Sequence, residues 1–267
     1  MRTLKLAMAI SILTACATLS AVAQPIVGQG GVVNAASFAG GQAVAPGSEV
    51  AIFGSSLAAN TVPASTVPLS FSLGNTSVTF NGIPAALYVV SDGQVNAQMP
   101  WNVLPANQIP GTVNVVVTKG GVASAPVAVS IGAAAPGIYS IPPGSGYAVA
   151  INPDSTLAAP AGAIPGATTH PAKAGDTLIV LATGLGAVNP TVANGASPSV
   201  TSFALVSPTA TIGGKSAQVA FAGLAPGFPG INQLNIVVPS GVTGNSLPIQ
   251  LIENGITSSA QVVIAVQ

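Results

Sequence analysis

The sequence predicts an all-β protein: two tandem copies of one β-sandwich unit behind a cleaved export segment. Three observations carry this. Apolar residues alternate with small or polar ones at a period of two, as in Val127-Ala128-Val129-Ser130-Ile131 and Leu247-Pro248-Ile249-Gln250-Leu251, the pattern of a half-buried strand. Gly (31) and Pro (23) interrupt the chain at short intervals, and no stretch after residue 24 has helical amphipathicity. Four sequence blocks also recur in the same order, at offsets of 128, 132, 139 and 134 residues. That period is too long for a solenoid repeat or a propeller blade, and it implies two copies of one domain.

The elements follow in chain order. Arg2 and Lys5 precede an apolar run from Leu6 to about Leu19, and Ala21-Val22-Ala23 supplies an A-x-A cleavage site before Gln24. That is the layout of a secretory signal peptide, here residues 1–23. Two other readings stay open. Leu13-Thr14-Ala15-Cys16 has the form of a bacterial lipobox, which would make Cys16 a lipidated first residue. The same apolar stretch is also just long enough to remain as a membrane anchor. Residues 24–30 form a linker, and the first sandwich occupies 31–133. Its Ala45-Pro46-Gly47-Ser48-Glu49-Val50 block matches Lys173-Ala174-Gly175-Asp176-Thr177-Leu178, and its Gln94-Val95-Asn96-Ala97-Gln98 matches Gln233-Leu234-Asn235-Ile236-Val237. Residues 78–85 match 210–217, and residues 115–124 match 249–258. Asn81-Gly82 and Asn254-Gly255 are hairpin signals, since both central residues of a type I′ turn need positive φ. Lys119-Gly120-Gly121 occupies the matching turn in the first copy. A short join near 132–136 leads to the second sandwich, 134–267. This copy has an extra N-terminal hairpin around Asn152-Pro153-Asp154-Ser155. Pro126 and Pro248 fall inside strand-like runs, which predicts edge positions for them.

Composition narrows the function. Only five Lys/Arg and five Asp/Glu occur in 267 residues, or 4% charged, against about 25% in an ordinary domain. Nucleic acid needs a basic face and is excluded as a partner. Disorder is excluded by 49% hydrophobic content. Beyond residue 23 there is no cysteine and no second long apolar run, so neither a disulfide nor a membrane span is expected after signal removal. Exposed faces so poor in charge are less protected against strand-edge pairing, which makes self-association one candidate behaviour.

The repeated pattern, Gly-x-x-Val-x-Ile-x-Gly followed by Val-x-Phe-x-Gly-x-x-Ala and a strand closing on Pro, resembles the IPT/TIG type of immunoglobulin-like (Ig-like) domain. In the first copy residues 47–57, 78–85 and 95–100 carry it. Over residues 31–267 the chain more closely resembles the C-terminal domain family of Solibacter-type Acidobacteria, through Ala182-Thr183-Gly184-Leu185-Gly186-Ala187-Val188-Asn189-Pro190 and residues 223–235. The resemblance implies an exported or surface-located tandem Ig-like protein. It supplies no catalytic residues.

Residue chemistry points the same way. His170 is the only histidine, no G-x-S-x-G elbow exists, and the five acids are scattered at 49, 92, 154, 176 and 253. Nucleophilic catalysis needs a base beside its nucleophile, and glycoside hydrolysis needs two facing carboxyls, so a non-enzymatic role without metal or cofactor is expected. Asn152-x-Asp154-x-Thr156 has the alternating oxygens of a calcium loop but also reads as an ordinary turn. Lys119, Lys173 and Lys215 are the candidates for a Lys–Asn isopeptide crosslink. The contact candidates are Trp101 with Asn102, and Phe228 in a Gly/Pro-rich loop. Trp101 either packs at the junction of the two copies or stacks on a ligand such as a sugar face; its counterpart in the second copy is Ser240. The expected function is an exported binding or structural module. Polysaccharide, another surface protein and a second copy of the chain are the candidate partners.

Overall fold

The computed structural model describes residues 23–267; Cys16 and the rest of the export segment up to residue 22 lie outside the described residues. The protein is all-β, with a single 3-10 turn, Ala106–Gln108, among those residues. Strands up to residue 131 pair only with one another, and so do strands from residue 137 onward.

In the first set one sheet runs in the order Ile26–Asn34, Glu49–Ser55, Gln94–Gln98, Ala86–Val90, Val62–Pro63. The facing sheet runs Val127–Ile131, Gly111–Lys119, Thr76–Phe80, Ile83–Pro84. The period-two pattern turns Ile52, Phe80, Leu87, Val95 and Val115 inward, all fully buried. In the second set Thr177–Thr183 pairs on one side with Asn232–Val237 and on the other with Gly137–Ile138 and Ala150–Ile151. Opposite lie Thr209–Ile212, Gly244–Glu253 and Val262–Val266. The long strand Lys215–Leu224 serves both layers. It pairs first with Thr209–Ile212 and, from Gln218 on, with Asn232–Val237; a register shift between Val219 and Phe221 within the second pairing marks a bulge that bends the strand. Between the layers Leu178, Leu234, Ile236 and Ile249 are fully buried, each contributing about 1.5–3 kcal/mol of hydrophobic stabilisation.

The turns obey their residues. Asn81-Gly82, Gly120-Gly121, Gly213-Gly214 and Asn254-Gly255 are two-residue hairpins with positive φ at both positions, as type I′ requires. Near the N-terminal end of the second set, Ile151 pairs with Leu157 across the Asn152–Ser155 turn. Pro248 departs from expectation. It sits in the inner strand Gly244–Glu253, opposite Val263. It is tolerated there because the strand changes neighbours at that point, and the next residue, Ile249, pairs with Ile212 on the other side.

Two charged residues end matching inward-facing rows. Lys119 follows Val113, Val115 and Val117, and Glu253 follows Ile249 and Leu251. They are 9% and 3% exposed.

Candidate functional site

The two halves meet through polar groups that neither could satisfy alone. Asn34 ends the first strand, and its amide donates to Ala135 O at 2.8 Å and Thr183 O at 3.3 Å. The Glu49 N–H donates to Thr183 Oγ1 at 2.9 Å, and that hydroxyl donates to Gly230 O at 2.7 Å. Tyr139 OH donates to Glu49 Oε2, Asn96 Nδ2 donates to Oε1 at 2.9 Å, and Tyr88 OH donates to Pro229 O. Burial pushes the Glu49 carboxyl up, opposed by the hydrogen bonds from Tyr139 and Asn96. Both tyrosines are raised too, first by burial and then by the neighbouring Glu49.

Beside this junction lies a cleft of about 370 Å³. Trp101, Leu104 and Ile109 line it from the first half, and Ala187, Val188 and Val192 from the second. It contains no charged residue. Trp101 is placed by two constraints. Its N–H donates to Asn194 Oδ1 at 2.9 Å, and its ring lies on Gly47, which has φ 75° and no room for a Cβ. The indole N–H is buried and meets no acceptor among the described residues. Asn194 Nδ2 donates to Asn102 Oδ1 at 3.2 Å, and Gly195 N–H donates to Gln98 Oε1 at 2.5 Å. The result is an apolar slot with one aromatic wall and two linked amides beside it. Such a site can hold an uncharged ligand by stacking and hydrogen bonding.

Trp101 therefore packs at the junction and lines a cleft as well. Asn102 is exposed beside it. Phe228 does not join them. It is 51% exposed and lines a separate depression of about 290 Å³ with Tyr88, Val67 and Leu69, on a loop fixed by Gly227 N–H to Ser197 Oγ at 2.7 Å. Composition alone could not locate Glu49, Tyr139, Thr183 and Asn194. The recurring sequence blocks give a partial signal, because the matched positions differ at the junction, with Glu49 against Thr177 and Trp101 against Ser240.

His170 presents both ring nitrogens to oxygens, Nε2 to Asp154 Oδ2 at 2.6 Å and Nδ1 to Pro171 O at 2.8 Å. The Pro171 carbonyl and the Asp154 carboxylate raise its pKa, and Asp154 is in turn lowered to about 2 by its hydrogen bonds from His170 and Thr156. Asp154 Oδ1 accepts from Thr156 N and Oγ1, and Asn152 Nδ2 donates to Thr156 Oγ1 and His170 O. The segment is an Asx-type turn whose polar atoms are largely used internally. No group of three His, Cys, Asp or Glu that could hold a metal occurs among the described residues. Lys215 Nζ donates to Ser240 O and Gly241 O, so its contacts are backbone carbonyls.

Residues 33–131 match the model of the IPT/TIG domain. A search of the curated proteins found no match. Among solved structures the chain is similar to SGBP-B of the mixed-linkage glucan utilization locus of Bacteroides ovatus, in complex with a mixed-linkage heptasaccharide. Identity is 13% and the TM-score 0.32, over 84% of this chain and 42% of that one. It is also similar to SGBP-B from a complex xyloglucan utilization locus of Bacteroides uniformis, at 11% identity and TM-score 0.28, over 90% and 49% of the two chains. A third is the gamma-CGTase of alkalophilic Bacillus clarkii, at 13% identity and TM-score 0.28, over 88% and 24%. The chain spans less than half the length of each. Among the described residues no helix is long and apolar enough to cross a membrane.

Proposed function

We propose that this chain is an exported, non-enzymatic binding module of the cell surface or exterior, made of two copies of one Ig-like unit and related to the Solibacter-type family its motifs resemble. One observation carries the reading: the junction cleft walled by Trp101 is apolar, uncharged and flanked by linked amides, while the only histidine has both nitrogens engaged. Its ligand is an uncharged group that presents an apolar face to the indole. A carbohydrate fits this through its C–H face, with hydroxyls directed to Asn102.

The test is retention of the purified protein on insoluble polysaccharides and on cell-envelope fractions, beside Trp101→Ala. Retention on a polysaccharide that is lost in a folded Trp101→Ala variant is expected. Retention on envelope alone, unchanged in the variant, would move the function to a protein partner. No retention on any matrix would refute binding through the cleft.

A further inference from the structure

A second surface lies on the outer face of the second half's sheet. The register sets Ile151 opposite Ile179, Ile179 opposite Asn235, and Asn235 opposite Phe221. In the adjacent row Leu181 lies opposite Gln233, Gln233 opposite Gly223, and Gly223 opposite Phe203. These rows point away from the core, since their alternates Leu178, Val180, Leu234 and Ile236 are the buried residues. Five strands at about 4.8 Å spacing make a face ~19 Å wide. One flank is aliphatic, the other holds the edge-packed Phe203–Phe221 pair with ring centroids 5.5 Å apart, and two amides stand between them. Phe203 is 53% exposed and Ile179 36%.

The amides identify what this face suits. Gln233 Nε2 donates to Asn235 Oδ1 at 2.9 Å, which leaves Gln233 Oε1 and Asn235 Nδ2 without a protein partner among the described residues. The first half contains the same pair, Gln94 Nε2 to Asn96 Oδ1 at 2.6 Å. There Asn96 Nδ2 is taken by Glu49, whose other oxygen accepts from Tyr139 of the second half. The position matching Glu49 is Thr177, so nothing closes the second pair. A partner sheet packed on this face would bury the free amide atoms unpaired, at a cost of about 1–3 kcal/mol each. A charged partner would find no counter-charge in either row. The complement is a partner with apolar C–H faces for the two phenylalanines and uncharged hydroxyls for the amides.

We propose that this outer face binds an uncharged polysaccharide chain lying across the sheet, with Phe203 and Phe221 as the stacking edge and Gln233 and Asn235 as the hydroxyl-reading centre. The inference rests on the reading of the chain as a binding module, but not on the cleft, because none of these four residues lines it.

The test is depletion of the purified full protein by microcrystalline cellulose, insoluble β-1,3-glucan and chitin, with polygalacturonate as the charged control. The variants are Phe203→Ala, Asn235→Ala and Trp101→Ala. At least one uncharged matrix is expected to retain the protein, and Phe203→Ala and Asn235→Ala should each weaken retention about tenfold with unchanged thermal unfolding. Phe203 is largely exposed, so its loss should leave the core intact; Ile179→Lys, on the same row, gives a second variant that blocks the face by charge. Retention lost in Trp101→Ala but untouched in all the face variants would overturn this proposal and keep the cleft. Retention lost only in the face variants would keep this proposal and overturn the cleft. No retention on any uncharged matrix, or stronger retention on polygalacturonate, would overturn it too, as would a concentration-dependent dimer that Phe203→Ala abolishes without any polysaccharide retention.

Discussion

Glu253 should make the stability of this protein fall as pH rises, through a single side chain. It is 3% exposed, ends the inward row of Ile249 and Leu251, and its Oε2 has no hydrogen-bond partner among the described residues. Burial raises its pKa from 4.5 to about 8. A carboxyl whose folded pKa exceeds its unfolded one favours folding while both states are protonated. That contribution is full below about pH 4.5 and is lost as pH rises through 8. At ~1.4 kcal/mol per unit the shift sets a ceiling of about 5 kcal/mol, and relaxation of the surroundings around a charge at the end of its row reduces this to about 2–3 kcal/mol. Glu253→Gln keeps the shape and removes the charge. Urea unfolding of both proteins at pH 5, 7 and 9 and constant ionic strength isolates the residue, because the raised Glu49 acts equally in both. The variant should lie within about 1 kcal/mol of the parent at pH 5 and exceed it by about 2–3 kcal/mol at pH 9. A difference that stays constant from pH 5 to pH 9 would refute the argument.

Three further outcomes are expected. Tyr139→Phe leaves a buried oxygen of Glu49 short of its donor and should cost about 1–3 kcal/mol in urea unfolding; a loss below half a kcal/mol would mean that the junction carboxyl is solvated. Gly47→Ala places a methyl in the Trp101 ring at a positive φ, so the sole tryptophan should move outward and its fluorescence shift to the red, whereas an unchanged spectrum would contradict the packing. Asp154→Asn should lower the midpoint of the single histidine in an NMR titration, because the carboxylate helps hold His170 charged; an unmoved midpoint would show that the Pro171 carbonyl alone sets it.

Much of the fold is legible because its signals are local. A period of two sets which face of each strand turns inward, and Asn-Gly or Gly-Gly supplies the positive φ that closes a hairpin. Pro248 shows where local reading fails: a proline in a strand suggests an edge, yet a strand that changes neighbours also has a position for it. The candidate site is less legible, since its geometry comes from pairs far apart in sequence. Trp101 stands out in the sequence as the only tryptophan, but its support by Gly47 and Asn194 depends on how the two halves dock. Glu49 is one of five scattered acids in the sequence, and only the folded chain brings Tyr139 to it.

The repeat offers a way to separate structural polar groups from available ones. Two halves that share sequence blocks and the same packing rules should solve the same problem in the same way, so a residue that differs between them marks a difference in surroundings. The Gln–Asn pair occurs in both, hydrogen-bonded alike, so the pair itself belongs to the module. Glu49 occurs once, and its partner comes from the other half, so it belongs to the junction. The same comparison explains why the first half can bury a carboxyl there: Asn96, Tyr139 and the neighbouring Thr183 hydroxyl surround it with polar groups. Glu253 has no such setting and stands where the matching residue is Lys119, another buried end-of-row charge. Opposite charges at one repeat position argue that the position tolerates a long side chain at the rim of the core and does not require either sign. Glu253→Met should then fold and be at least as stable as the parent at pH 7, and a destabilised variant would show that the carboxyl has a structural task of its own.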